Sequence, residues 1–283
     1  MLKSRTSPSF EWHNISFNLS GIRYYESLQV LVPVLWGIIF SKTILSTDSI
    51  IIICSLLGHT FFSYSYNDYC DFEVDKLNNR KLKVGKFSKK YYRNLSIFFF
   101  GVSFIPLLFC QNISIISLVI FLQVLAFIYS YYKEQIRQMT LLPQAIHLLC
   151  GISYFFIGAN LGKVQNDQNT LILSLYFGLL YAFGSLNSEL IDYKADKSVN
   201  ALGILKKFSM SQIYYAIIAL QFLSIFLVSY YLYQTNNYSL VAFICFGFLV
   251  YLKNLDKKNL LAFRRTYRLL FNFCTLILLL GIL

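Results

Sequence analysis

Nine apolar runs, each near the ~20 residues that a bilayer core requires, occupy most of this 283-residue chain. They fall at roughly 22–45, 49–68, 93–110, 113–132, 141–161, 170–191, 210–233, 238–252 and 264–283, the eighth being short. In hydrocarbon every backbone N–H and C=O must find its partner within the chain, so runs of this length are expected to be helices. The expected fold is all-α: an integral membrane bundle of about nine transmembrane helices. It forms one domain over 22–283, preceded by a polar N-terminal segment, 1–21. Only 13% of the residues are charged, where a soluble domain carries about 25%. The first segment holds Lys3, Arg5, Pro8 and His13 but no apolar stretch of signal-peptide length, so no cleaved signal is expected.

The net charge of +12 is concentrated in alternate loops. The N-terminal segment through Arg23 and the loops after the second, fourth, sixth and eighth runs hold 23 of the 25 Lys and Arg residues. Positive loops stay cytoplasmic, which places the N-terminus inside and, with nine spans, the C-terminus outside. This distribution is a topology signal and a contact for anionic lipid, not a nucleic-acid patch. The six cysteines are scattered singly, with no C-x-x-C pair, and read as small apolar residues. His13, His59 and His147 form no ligand-spaced pair, which argues against zinc or haem.

Against this background two acidic strings stand out. Asp68-x-x-Asp71-x-x-x-Asp75 closes the second run, and Glu189-x-x-Asp192-x-x-x-Asp196 closes the sixth. Each residue of the second string lies 121 positions after its counterpart in the first. With Glu73, these residues make seven of only 13 carboxylates in the chain. The repeat extends further at the same offset: Asp75-Lys76 recurs as Asp196-Lys197, Asn79 as Asn200, and Lys86-Phe87-Ser88 as Lys207-Phe208-Ser209. Two copies in one orientation form a parallel internal repeat. The second and sixth spans would then face each other about an axis along the membrane normal.

Carboxylates at i, i+3 and i+7 share a helix face. Six of them gathered at one cytoplasmic mouth would repel unless cations lay between them. Magnesium accepts a few carboxylates and keeps positions for phosphate oxygens. A diphosphate bridged by magnesium would balance the charge of Asp68, Asp71, Asp75, Glu189, Asp192 and Asp196. Lys133, Arg137, Arg80, Lys86 and Arg23 are candidates for holding such a leaving group, with Asn67 beside them. An apolar, aromatic bundle above an acidic mouth suits a hydrocarbon tail, so an isoprenoid diphosphate has both required parts. Among 22 Tyr and 27 Phe, most of which serve packing, Tyr129 and Tyr66 stand beside the charged motifs. Aromatic faces there would stabilise an allylic cation.

Asn67-Asp68-x-x-Asp71-x-x-x-Asp75 resembles the first motif of the UbiA superfamily of intramembrane prenyltransferases, and Glu189-x-x-Asp192-x-x-x-Asp196 resembles the second. Between them, Tyr129-Ser-Tyr-Tyr-Lys133, followed by Arg137, Thr140, Pro143 and Gln144, is similar to the family's Tyr-x-x-x-Lys segment. The resemblance covers nearly the whole chain. It implies magnesium between spans two and six and transfer of a prenyl group to an acceptor. Asp68, Asp71, Asp192, Lys133 and Tyr129 are the expected catalytic residues. The acceptor is expected to be an aromatic ring of the quinone-precursor type. A glycerol-phosphate lipid hydroxyl and a tetrapyrrole stay open, because the loops after both strings depart from the family pattern: Asn78-Asn79-Arg80-Lys81 lacks an Arg-Pro pair, and Asn200, Leu202 and Gly203 replace its usual Gly, base and Thr or Ser. Two other readings use the same residues. One is a terpene cyclase on this scaffold, and the other is a non-enzymatic divalent-cation protein. A transporter would carry its carboxylates at mid-membrane on broken helices, whereas these lie at the cytoplasmic ends.

Overall fold

The structure is a computed structural model and describes residues 30–41, 46–73, 87–139, 141–161, 168–198, 203–255 and 259–282. In chain order the α-helices are α1 Val32–Phe40, α2 Thr47–Cys70, α3 Lys89–Phe104, α4 Ile113–Tyr131, α5 Lys133–Gln138, α6 Leu142–Leu161, α7 Gln168–Ser198, α8 Met210–Gln234, α9 Tyr238–Lys253 and α10 Leu260–Ile282. No strand occurs among the described residues. The all-α expectation therefore holds. Among the described residues seven helices are long and apolar enough to cross a membrane, while α9, with 16 residues, is shorter. Such a helix is about 24 Å long, less than the ~30 Å hydrocarbon core. The first apolar run is described only over 30–41, and the segment 1–21 lies outside the described residues.

Local sequence sets the helix starts. Ser46 and Ser49 form a reciprocal capping box at the start of α2. The Asn112 side chain accepts from the backbone N–H of Ser114 and Ile115 at the start of α4. Pro106 lies in a 3-10 turn, Ile105–Phe109, that ends α3. Its missing N–H and fixed φ break the α pattern there. The sequence repeat has a structural counterpart. Ser88 caps α3 by accepting from Tyr91, and Ser209, its partner 121 positions later, caps α8 by accepting from Gln212. Each acid-bearing helix is thus followed by a serine-capped helix that packs along it, α3 on α2 and α8 on α7.

Side chains exposed on the outer faces are apolar. Ile97 is 65% exposed, Phe109 68% and Phe246 66%. These faces suit lipid rather than water. Inside, helix pairs close on small residues, since lipid offers no hydrophobic gain for association. α1 and α6 cross at Gly37 and Gly158. A Cβ on Gly158 would lie 2.0 Å from the Val34 carbonyl oxygen, and one on Gly37 would lie 2.3 Å from that of Phe155. Both obstacles are backbone, so neither can turn aside. Gly158→Ala is expected to cost about 1–3 kcal/mol, read as a lowered unfolding temperature in detergent. Gly101→Ala, where a Cβ meets nothing within 4 Å, should be neutral or slightly stabilising. Equal effects at the two sites would refute the close-crossing account.

One large core joins α7, α8, α9 and α10 around Phe177, Phe183, Tyr214 and Phe271. A second joins α1, α2, α4 and α6 around Val34, Leu56, Val119 and Ile157. The helices α2 and α7, which carry the acidic strings, belong to different cores and border a common cavity.

Candidate functional site

The cavity measures about 670 Å³ and is lined from α2, α4, α5, α6, α7 and α10, with the start of α1 closing one side. Its volume lies within the usual range for small-molecule sites. The wall is aromatic where it is deep. Tyr154 hydrogen-bonds His59 at 2.9 Å, Tyr181 donates to the Val30 carbonyl at 3.2 Å, and Phe177 and Phe183 stand beside them. Tyr129 lines the cavity and meets the ring of His147 edge-on, with centroids 5.2 Å apart. Tyr66 does not line it. Its ring stacks between Phe62 and Phe127 in an aromatic row along α2 and α4.

The charged end is built on the terminus of α2 and on a turn inside α7. α2 runs out at Cys70, with Asp68 in its last turn and Asp71 as its C-cap. Carboxylates there oppose the negative end of the helix dipole, at a cost of a few tenths of a kcal/mol to about 1 kcal/mol each. Local helix stability therefore does not favour them, and nearby cations must. Asp71 accepts from the Lys133 ammonium and, at 3.1 Å, from the Asn67 amide. Lys133 also donates to the Asn67 carbonyl oxygen at 3.2 Å. On α7, Glu189 is 9% exposed and receives both Nε and Nη2 of Arg137, each at 3.2 Å. This two-point fork is the strong form of the Arg–carboxylate pair.

Lys133 and Arg137 are four residues apart on α5, so they share its face. One short helix thus grips the end of α2 with one base and α7 with the next, one turn away. That link brings the two strings together.

Not every expected residue takes part in the described geometry. Asn67, Tyr129, Lys133, Arg137 and Glu189 line the cavity. Asp68 is buried, 3% exposed, and does not line it. Asp192 and Asp196 belong to the backbone of α7, and their side chains are outside the described set. Asp75, Arg80, Lys86 and Arg23 lie outside the described residues, as does Thr140. Among the described residues no three His, Cys, Asp or Glu side chains gather as a metal cluster. Asp71 and Glu189 each bond a base instead, as like charges repel and α5 stands between them. The described donors at the mouth are carboxylate oxygens, the hard donor type that magnesium takes.

Sequence reasoning passed over several cavity residues. His59, Tyr154 and Tyr181 sit inside apolar runs with no motif to mark them. By sequence Arg264 and Arg268 are among the topology-setting bases that follow the eighth run, yet both line the cavity. Their four-residue spacing, the same as that of Lys133 and Arg137, was the available signal.

The Arg137–Glu189 pair carries its own prediction. Arg137→Ala leaves Glu189 without this partner and is expected to lower stability by about 1–3 kcal/mol. Glu189→Gln in the same chain should recover part of that loss. A double-mutant cycle on unfolding in detergent measures the coupling, and a value near zero would show that the pair holds nothing together.

The model of the UbiA prenyltransferase family matches residues 30–276. No curated protein matches the chain in sequence. Among solved structures it resembles that of a digeranylgeranylglyceryl phosphate synthase, at 18% identity over 93% of this chain and 96% of that one, with a TM-score of 0.65. It also resembles a UbiA homologue from Archaeoglobus fulgidus bound to GPP and Mg2+, at 14% identity over 90% and 97%, with a TM-score of 0.64. An apo UbiA homologue from Aeropyrum pernix K1 is similar at 18% identity over 92% and 98%, with a TM-score of 0.67. At these identities the likeness is one of fold.

Proposed function

Because the chain belongs to the UbiA prenyltransferase family and is a multi-pass membrane protein, we propose that it transfers a prenyl group from an isoprenoid diphosphate to an acceptor inside the bilayer. The observation that carries this reading is the α5 link, which ties the end of α2 to the Glu189 turn of α7 at the mouth of one aromatic cavity. The domain spans 22–283, and the mouth faces the cytoplasm, as the basic loops direct. The fold neighbours support the donor class, since one from Archaeoglobus fulgidus is bound to GPP and Mg2+ and another to DMAPP and Mg2+. Magnesium held by Asp68, Asp71, Asp75, Glu189, Asp192 and Asp196 would supply positive charge to a diphosphate. Lys133 and Arg137 stand one turn apart on α5 to receive its oxygens, and Arg80, Lys86, Arg23 and Asn67 are the further candidates.

The hydrocarbon tail occupies the cavity, and Tyr129 presents a ring face near the reacting carbon. Water exclusion there protects an allylic cation until the acceptor attacks. The acceptor is an aromatic ring of the quinone-precursor type. A base must take the proton it loses, and Asp192 and Asn67 are the polar groups assigned nearest it, Asp192 serving if one of its oxygens is not held by metal. Cyclisation of the donor is the competing outcome on the same scaffold. Incubating purified protein with magnesium, labelled prenyl diphosphate and a panel of aromatic, glycerol-phosphate and tetrapyrrole acceptors tests this. A prenylated acceptor supports transfer, a cyclic hydrocarbon supports cyclisation, and an unchanged donor refutes both.

A further inference from the structure

α10 is apolar overall, yet it turns a polar stripe to the cavity: Arg264, Arg268, Asn272 and Thr275 all line it, at helical spacing. Charged side chains on a spanning helix face a functional interior by default, because lipid makes them costly. Both residues are partly buried, and among the described residues neither has an ion-pair or hydrogen-bond partner. Lys133 and Arg137, by contrast, are joined to Asp71 and Glu189.

Ring contacts fix the level of this stripe. Tyr176 packs on Phe271, and Phe183 packs on both Phe271 and Tyr267, so α10 runs antiparallel to α7. Phe263, the residue before Arg264, packs on Tyr214 near the start of α8. The first turns of α10 therefore lie at the end of the bundle where α7 carries Glu189. Arg268 lies one turn deeper than Arg264. They approach the cavity from α10, while Lys133 and Arg137 approach from α5.

We propose that Arg264 and Arg268 form a second anion site, which docks the acidic group, carboxylate or phosphate, of the acceptor. The proposal rests on the prenyl-transfer reading and adds the group by which the acceptor would be held, with a phosphate-bearing acceptor as the alternative the test separates. Two guanidiniums one turn apart repel each other, and a shared anion relieves that repulsion. Their planar forks match a carboxylate or a phosphate oxygen pair. The donor diphosphate has its own bases on α5, so the α10 pair is left to fix the second substrate. An acceptor held at its acidic group on α10 would extend its nucleophilic end across the cavity toward Tyr129.

The test is direct binding to the full chain in nanodiscs, with two separate arms. One arm measures the affinity of geranyl diphosphate with magnesium. The other compares 4-hydroxybenzoate with 4-hydroxybenzyl alcohol, and glycerol 1-phosphate with glycerol, with and without the donor's unreactive thiolo analogue. In the parent chain at least one acidic probe is expected to bind about tenfold tighter than its uncharged counterpart, and which one does so separates a carboxylate acceptor from a phosphate one. Arg264→Gln with Arg268→Gln should erase that preference while geranyl diphosphate affinity stays within about twofold. The Lys variants at both positions should retain part of the preference. A parent chain with no preference for the acidic probes overturns the proposal, with no variant needed. So does a variant that keeps the preference, or one that loses donor affinity about tenfold, which would make the pair a donor clasp. Failure of geranyl diphosphate to bind the parent chain counts instead against the transfer reading, and the donor-free probe arm still decides the anion site.

Discussion

Asp71→Ala is expected to abolish prenyl transfer, with kcat/KM falling by about a hundredfold to a thousandfold or more, while the protein still inserts and folds. Asp71 caps α2 and meets both Lys133 and Asn67, so it joins the first acidic string to α5. Two effects are combined in the alanine variant. A carboxylate that would hold magnesium is lost, and Lys133 loses its partner. Asp71→Asn keeps the shape and a hydrogen-bond acceptor but not the charge, so it should be nearly as inactive. Comparing Lys133→Ala with the double variant separates the two effects. If Asp71 only neutralised Lys133, adding Asp71→Ala to Lys133→Ala would cost nothing more, and a further large loss is expected. Glu73 serves as the control. It is exposed, two positions from Asp71 and Asp75 and so off their face. Glu73→Ala should keep activity within about twofold of the parent, since an exposed surface change rarely costs more than ~0.5 kcal/mol. Full turnover by Asp71→Ala would remove the acidic strings from the reaction.

The second large effect concerns the order of bond breaking and bond making. Fluorine on the allylic carbon of the donor withdraws electrons from a developing cation but changes the size of the molecule little. Turnover is expected to fall by several orders of magnitude while donor affinity moves by only a few-fold. In that route the C–O bond to the diphosphate breaks first, the electron pair leaves with it, and the acceptor then attacks the cation. Lys133 and Arg137 stabilise the departing charge, and the face of Tyr129 stabilises the remaining one. A direct displacement develops less charge on carbon and is less sensitive. A fluorinated donor that reacts within a few-fold of the parent would exclude the dissociative route. Lys133→Ala, assayed with both donors, links the chemistry to the site. It should slow the parent donor and leave the fluorine effect in place, because it acts on the leaving group rather than on the carbon.

Much of this protein is determined along the chain itself. Apolar runs long enough to cross a bilayer leave only helices as a solution in lipid, and the helices Thr47–Cys70, Ile113–Tyr131, Leu142–Leu161 and Met210–Gln234 fall within a few residues of the expected spans. The repeat at 121 positions likewise has a local cause and a local outcome, the serine caps at Ser88 and Ser209. The polar residues that the structure places around the cavity were legible for the same reason: Asn67, Lys133, Arg137 and Glu189 are rare polar residues beside apolar runs, and that rarity is a signal that one sequence can carry.

What the tertiary structure alone decided is which groups face one another. Nothing in the spacing says that Lys133 turns to Asp71 while Arg137 turns to Glu189, since that choice depends on where α5 lies between two helices distant in sequence. The glycine crossing of Gly37 and Gly158 joins residues 121 apart in different helices. Tyr66 and Tyr129 are equally aromatic and equally close to a motif, yet only Tyr129 faces the cavity, because helix rotation is set by packing and not by neighbours in the chain. Arg264 and Arg268 show the same limit most clearly. Along the chain they are basic residues after a loop, and only the antiparallel packing of α10 on α7 turns them from a cytoplasmic topology signal into part of the wall of the cavity.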